Sequence, residues 1–438
     1  MDKTKKSLGQ LAVPICLETL LFMMAGTLDT LMLSSVNNQA VGAVGTANTY
    51  ISMFLILFSV ISTGMMAVMT QNIGAGRPGI AYQARQLGAI INLSLSIVIG
   101  LLLALGSGPI LKIVGIADAL YEPAKVYLQI VGGCCFLNAL IPVFSGYLRS
   151  FGHMHHSMVA GIVGNVLNLI LNAVFLFGFH MGVVGVALAT VISRVVNLII
   201  VIIASIVLIK AKDDTNRIPM SVVFRQMLQV GFPAAMETAI YNFAMTLVIR
   251  YMNQMDPDGI NVTARSYASQ ITSFSYCIGF SLAQANAIMT GWRIGAKEFD
   301  ACDKGTKKAA VLGIICSFLC ASAIALFGKP IISLFTDDSG MIRLVYQLLL
   351  IDIFLEVGRC SNLVFGFALK TSGDASFPVA LGAVFMMLCA VGGTYLFGIE
   401  LGLLAVGAYI GLASDECIRG VAMFLRWQSG KWQSKIII

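Results

Sequence analysis

A single carboxylate, Asp29, stands in an apolar stretch that carries no other charge between Glu18 and Arg77. At the centre of a bilayer such a group costs about 2.5–3.5 kcal/mol, and intramembrane acids face a cavity or a partner. Its charge can be cancelled by a proton or by Na⁺, and that choice is the chemistry of ion coupling. The alternative is a permanently protonated acid packed against a hydroxyl. Glu18 lies eleven residues earlier, on nearly the same helix face and roughly 16 Å away. It reads as a relay or substrate contact, or as an acid solvated near the helix end. Asn165, Asn168 and Asn172 fall at i, i+3 and i+7 and share a face. Their amide oxygens would suit a hard cation such as Na⁺; the alternative is hydrogen bonding between helices. Thr190 alone carries no signal.

In the second half of the chain, Glu356 and Arg359 stand at i and i+3, the spacing of an ion pair within one helix. Mutual neutralisation favours a structural role for them over a substrate contact. Asp352 lies one turn earlier and could join them. Asp415, Glu416 and Arg419 read as a charge cluster at the membrane interface. The Gly152-His-Met-His-His156 run has no further ligands nearby, and Asp256-Pro-Asp-Gly only begins a calcium loop. No phosphate-binding loop, zinc-protease motif or nucleophile elbow is present. The residues handle ions rather than make bonds, so the chain reads as no enzyme and as needing no cofactor. The metal it could hold is Na⁺ at Asp29.

These residues need a scaffold that lies in lipid. Of 438 residues, 58% are hydrophobic and 11% charged, against about 45–50% and 25% in soluble domains. Mean hydropathy is +0.87. This excludes a nucleic-acid binder, a soluble enzyme and a disordered scaffold. Ten cysteines, mostly within apolar runs, read as buried small residues. Many of the 22 methionines lie within the spans and suit a surface that accepts many shapes, though most are ordinary packing. Twelve spans are expected, near 9–33, 44–73, 86–110, 123–147, 158–178, 182–209, 224–252, 259–291, 306–328, 341–369, 376–398 and 402–426. Lys3, Lys5, Lys6, Arg77, Arg85, Arg149, Lys210, Lys212, Arg217, Arg293, Lys297, Lys304, Lys307, Lys308, Lys370, Lys431 and Lys435 then lie on one side. The positive-inside rule makes that side, with both termini, cytoplasmic.

The halves repeat at an offset near 220. Pro14-Ile-Cys-Leu-Glu18-Thr matches Pro233-Ala-Ala-Met-Glu237-Thr, which places Glu237 at the repeat position of Glu18. Ala67-Val-Met-Thr70 matches Ala287-Ile-Met-Thr290, and Gly146 to Gly152 matches Gly366 to Gly373. Phe175-Leu-Phe-Gly178 matches Tyr395-Leu-Phe-Gly398, and Gly182 matches Gly402. Six spans per half make the repeats parallel, related by a pseudo-two-fold axis along the membrane normal. The expected fold is an all-α integral membrane protein of two six-helix lobes, 1–209 and 224–438, joined by a cytoplasmic linker, 210–223. Two such lobes enclosing a cleft suit alternating access.

The Gln71-Asn-Ile-Gly-Ala-Gly76 run, Gly164-Asn-Val-Leu-Asn168-Leu-Ile-Leu-Asn172 leading into Phe175-Leu-Phe-Gly178, and Gly185-Val-Ala-Leu-Ala-Thr190 together resemble the multidrug and toxic compound extrusion family. The resemblance covers nearly the whole chain. It implies a V-shaped secondary carrier of the cell inner membrane that exports organic, often cationic, drugs in exchange for Na⁺ or H⁺. Leu28-Asp29-Thr30 resembles the family's coupling aspartate and Pro14 its first-helix, helix-bending proline. Asn168, Asn172 and Thr190 fall where the family completes its amino-terminal cation site. Some members have an aspartate at the position of Asn172, and this chain does not. Tyr241 stands near where the NorM branch has an acid, with Glu237 a turn earlier, so the chain is more similar to the DinF-like bacterial branch. The expected partners are drug-like small molecules and the lipid bilayer, not nucleic acid, and a monomer is expected. With a single carboxylate at Asp29, the reading favours the proton, with Na⁺ competing. A flippase for lipid-linked precursors of the same superfamily is the alternative, and it should show a cationic cleft rather than Asp29, Glu18 and Glu237. A structural or assembly protein would not need acids buried at repeat-matched positions.

Overall fold

The computed structural model describes residues 6–34, 38–114, 116, 118–211, 214–256 and 258–438. Three of the orienting lysines, Lys3, Lys5 and Lys212, lie outside them, as do Pro257 and the side chain of Thr30. Twelve long helical passes run through the described residues. The first six are α1 (Leu8–Ser34), α2 (Asn38–Gly74), α3 (Pro78–Val114), α4 (Asp118–Gly132 and Phe136–Ser150, bent by 41°), α5 (Met154–Gly178) and α6 (Gly182–Leu208). The second six are α7 (Met220–Met255), α8 (Ile260–Gly295), α9 (Phe299–Leu326), α10 (Ser339–Ser372), α11 (Ser376–Glu400) and α12 (Leu404–Gln428). The shortest, 25 residues, reaches about 37 Å at 1.5 Å per residue, enough for a hydrocarbon core of about 30 Å.

Each helix follows one of the expected apolar runs and most extend past it. Arg85, expected between spans, therefore lies inside α3, and Arg149, Arg293 and Lys370 sit in the last turns of α4, α8 and α10. Eight helices are apolar enough to cross a membrane on composition alone, and the bent α4 makes a ninth. The other three, α8, α10 and α12, all belong to the second half. Two of these carry the charges Asp352, Glu356, Arg359, Asp415, Glu416 and Arg419.

The repeat extends to the backbone. The matched Phe175-Leu-Phe-Gly178 and Tyr395-Leu-Phe-Gly398 segments both form wide π-helical turns. Residues with φ in the left-handed region recur at equivalent places: Gly76 and Lys297, Gly152 and Gly373, Gly182 and Gly402. Two compact units emerge. One holds Leu17–Gly231; the other holds Phe232–Ile438 together with the start of α1 up to Cys16. The first unit runs on into α7 because Gly64 and Gly231 let two backbones touch. A β-carbon on Gly231 would meet the Val60 carbonyl oxygen at 1.8 Å, and one on Gly64 the Met227 oxygen at 1.9 Å.

The segment leading to α7 is strapped onto the start of α3. Asp214 accepts from the Gly79 amide at 2.7 Å, and Gln83 exchanges hydrogen bonds with the Ile218 backbone at 3.0 and 3.1 Å. The Gly79 and Asn216 amides hold the Asp214 carboxyl below the usual carboxylate range. In the first unit a continuous apolar core runs from Leu33 through Leu128 to Ala187. The second unit has two, one around Val248, Leu348 and Tyr409 and one around Val364, Trp427 and Trp432.

Candidate functional site

Asp29 sits half-buried in the last third of α1. Asn168 and Asn172, one turn apart on α5, face it and are themselves buried. Asn172 Nδ2 donates to Asp29 Oδ1 at 2.8 Å. The Asn168 amide, oriented so that both its groups are satisfied, donates to both carboxylate oxygens at 3.0 and 2.9 Å. The amide nitrogens face the carboxylate. The cause is the charge on Asp29, which draws N–H groups. Asn172 Oδ1 is left buried without a hydrogen-bonding partner. Asn165 takes no part in these bonds to Asp29. Thr190 is buried on α6, and its hydroxyl donates to the Val186 carbonyl one turn back at 2.8 Å.

The sequence reading missed Arg194. It lies one turn beyond Thr190 on α6 and interacts electrostatically with both Asp29 and Tyr127. Tyr127, buried on α4, donates to Asn48 Oδ1 of α2 at 3.4 Å. The signal was present: Arg194 is the only charged residue between Arg149 and Lys210, and an intramembrane charge marks function by default. Asp29 therefore has an internal counter-charge.

Glu18 and Glu237 each form an ion pair within their own unit. Arg149 Nη2 meets Glu18 Oε1 at 2.7 Å and also bonds Ser157. Lys370 Nζ meets Glu237 Oε2 at 2.7 Å. The two pairs are repeat-matched. Each joins the first helix of a half, one turn after Pro14 or Pro233, to the end of the fourth helix. Those prolines remove a backbone donor, which weakens the helix there. Tyr241, one turn after Glu237, is about one-third exposed.

Glu356 and Arg359 are ion-paired, and Arg359 Nε also reaches Glu416 Oε1 at 3.5 Å. Arg419 grips Asp415 with two bonds, at 2.7 and 3.0 Å, and meets Glu416 at 3.1 Å. Asn362 donates to Glu416 Oε2 at 2.9 Å. The expected interfacial placing of Asp415, Glu416 and Arg419 is corrected: they are 2%, 7% and 2% exposed. Gly358 and Gly420 explain this. A β-carbon on Gly358 would meet the Cys417 backbone nitrogen at 2.6 Å, and one on Gly420 the Gly358 oxygen at 2.8 Å. With helices α10 and α12 touching at the backbone, their charges face each other instead of the interface. His153 and His156 contact edge to face. Among the described residues no three His, Cys, Asp or Glu side chains gather as a metal site.

The MatE family profile matches residues 14–174 and 233–396, one segment in each half. The uncharacterized transporter YisQ of Bacillus subtilis is 33% identical over 445 residues, covering 99% of this chain and 96% of the relative. The probable multidrug resistance protein NorM of Thermotoga maritima is 24% identical over 457 residues, covering 100% and 95%. DNA damage-inducible protein F of Escherichia coli is 25% identical over 378 residues, covering 82% and 78%. Among solved structures, an outward-facing multidrug resistance MATE family transporter of the MOP superfamily superposes with a TM-score of 0.89 at 20% identity, covering 98% of this chain and 96% of the other.

Proposed function

The chain belongs to the MatE family, and we propose that it is a proton-coupled exporter of amphipathic, often cationic, organic molecules. It is a membrane transporter and not an enzyme. In this reading residues 1–209 and 224–438 are lobes that alternate access by rocking, with 210–223 as the cytoplasmic linker. The protein works as a monomer in the inner membrane with both termini in the cytoplasm. Asp29 is the coupling group, and Asn168, Asn172 and Thr190 complete its surroundings. Tyr241, Glu356 and Arg359 remain candidates for substrate contact or relay, and Glu18 and Glu237 act through their ion pairs.

The observation that carries this reading is the Asn172–Asp29 hydrogen bond of 2.8 Å between two membrane helices. It ties the protonation of one carboxylate to the packing of α1 against α5. Ionised, Asp29 accepts from both amides. Protonated, it would lose the charge that attracts them and gain an O–H that needs an acceptor, for which a turned Asn172 amide offers its unpartnered oxygen. The preference for H⁺ over Na⁺ rests on the carboxylate count: Asp29 is the single acid of the cluster, and Asn172 rather than a second carboxylate stands beside it, which leaves fewer anionic oxygens for a metal ion. The test is proton release: adding a cationic drug to weakly buffered purified protein should acidify the medium. The Asp29→Asn variant should release no proton while still eluting as a folded species. Equal release by both proteins would remove Asp29 from the coupling role.

A further inference from the structure

The start of α1 belongs to the second unit, and a pair of thiols meets there. Leu8 packs against the core around Trp427 and Trp432, and the residues up to Cys16 cluster with Phe232–Ile438. Cys16 Sγ lies 3.8 Å from Cys277 Sγ of α8, and the Cys277 thiol also reaches the Cys16 carbonyl oxygen at 3.4 Å. The sulfurs of a disulfide stand about 2.05 Å apart, so the gap left to close is about 1.8 Å. A change of χ1 rotamer covers that distance. The repeat does not call for either thiol. Ala235 stands at the repeat position of Cys16, and Leu57 at that of Cys277. Packing of the repeated helices therefore does not require sulfur at either place.

The two thiols differ in access. Cys16 is partly exposed, whereas Cys277 is fully buried. A small oxidant meets Cys16 first, with Cys277 behind it, the arrangement of an attacking and a resolving thiol. We propose that Cys16 and Cys277 are a redox-modification site, joined by hydroperoxides into a reversible disulfide that pins the opening turns of α1 to α8. In the first step the Cys16 sulfur, its proton given to water, bonds to one peroxide oxygen. The O–O bond breaks, and the other oxygen leaves and takes up a proton. The product is a sulfenic acid. In the second step the Cys277 sulfur bonds to the Cys16 sulfur, the S–O bond breaks, and the hydroxyl leaves as water with the Cys277 proton. Each sulfur gives up one electron, and the peroxide is reduced by two. A low-molecular-weight thiol returns both residues to the reduced state by exchange.

The position decides what the bond would do. Pro14, two residues before Cys16, has no amide to donate to the Gln10 carbonyl, so the helix is weak there. One residue after Cys16, α1 passes into the first unit. The disulfide would therefore fix α1 where its hydrogen-bond ladder is interrupted and where it leaves the second unit. Cys320 on α9 interacts electrostatically with Cys16 and is the competing thiol. With the start of α1 on the cytoplasmic side, as in the proposed orientation, the resting pair is reduced, and the bond forms only under oxidation.

The experiment uses the full chain in lipid nanodiscs, treated with excess hydrogen peroxide, alkylated and digested without reductant. Mass spectrometry should find the Cys16 peptide joined to the Cys277 peptide, short of two hydrogens, and dithiothreitol should separate them. Oxidation should slow backbone hydrogen exchange in residues 8–16 at least about tenfold. Cys277→Ser should lose the joined peptide and leave Cys16 as a sulfenic acid that dimedone traps. Cys277→Ala should do the same, and it decides the matter should the serine variant misfold. Cys16→Ser should show neither the joined peptide nor slowed exchange. Both thiols remaining open to alkylation in the oxidised parent protein would overturn the proposal. So would a bond from Cys16 to Cys320, or exchange in residues 8–16 that the joined pair leaves unchanged. These readouts involve no drug and no ion gradient, so failure of the Asp29 reading would not move them.

Discussion

The Glu18–Arg149 pair should behave as a structural clasp, and a double-mutant cycle can measure it. The charges stand 2.7 Å apart, and both side chains are 19% exposed. At an effective dielectric constant of about 20, two unit charges at that distance attract by about 6 kcal/mol. Desolvation of both groups takes back most of this. Removing one partner of a fully buried pair typically costs about 3–5 kcal/mol, because the other is left uncompensated. With a fifth of each side chain in contact with solvent, screening reduces the cost to about 2–3 kcal/mol. Tryptophan fluorescence cannot follow the loss, since Trp292, Trp427 and Trp432 all lie in the second unit. Backbone hydrogen exchange, read peptide by peptide, can. Glu18→Gln and Arg149→Gln should each speed exchange in α1 beyond Leu17 and in the last turn of α4 by roughly 30- to 150-fold, since about 1.4 kcal/mol corresponds to tenfold. The double variant should cost much less than the sum, leaving a coupling of about 2 kcal/mol. Additive effects, with coupling below about 0.5 kcal/mol, would show that Glu18 is not held by Arg149. An Arg149→Gln variant with unchanged exchange and tighter binding of cationic drugs would restore Glu18 as a free acid.

Three further outcomes follow from the geometry. Gly231→Ala should separate α7 from α2, because its β-carbon would meet a carbonyl oxygen at 1.8 Å; a destabilisation of about 1–3 kcal/mol is expected, visible as faster exchange around Val60, and unchanged protection there would refute the close contact. The Asp214 carboxyl is held low by the Gly79 amide, so its support of the strap is present above the ordinary carboxylate range and is lost as pH falls through the lowered value; exchange at residues 79–83, corrected for intrinsic rate, should rise on acidification and should be pH-insensitive in Asp214→Asn. Arg194→Gln should move the pH profile of transport to higher pH, since removing a positive charge that acts on Asp29 favours the protonated carboxyl; an unaltered pH profile would show that Arg194 does not act on Asp29.

Much of the architecture is legible because lipid imposes a simple rule. A run of about 20 apolar residues must be a helix, and the order of matches from Pro14 to Gly402 reveals the repeat. The repeat even predicts backbone detail, since the matched Phe-Leu-Phe-Gly and Tyr-Leu-Phe-Gly segments share a wide turn. Contacts between helices are harder to read. Helical spacing pairs Glu356 with Arg359, three residues apart, but it cannot pair Glu18 with Arg149 across 131 residues. The burial of Asp415 and Glu416 depends on Gly358 and Gly420, whose missing side chains bring two backbones together; in sequence they are two glycines among 43. The amide orientation at Asn168 and Asn172 is likewise set by the charge they face, not by their spacing.

The central claim is that Asp29 couples a proton to drug export. Drug efflux from proteoliposomes should be measured in sodium-free buffer with an imposed proton gradient, and separately with a sodium gradient at equal pH. The account predicts export driven by the proton gradient alone, abolished in Asp29→Asn, with little drive from sodium. Strict dependence on added Na⁺, or full proton-driven export by Asp29→Asn, would contradict it.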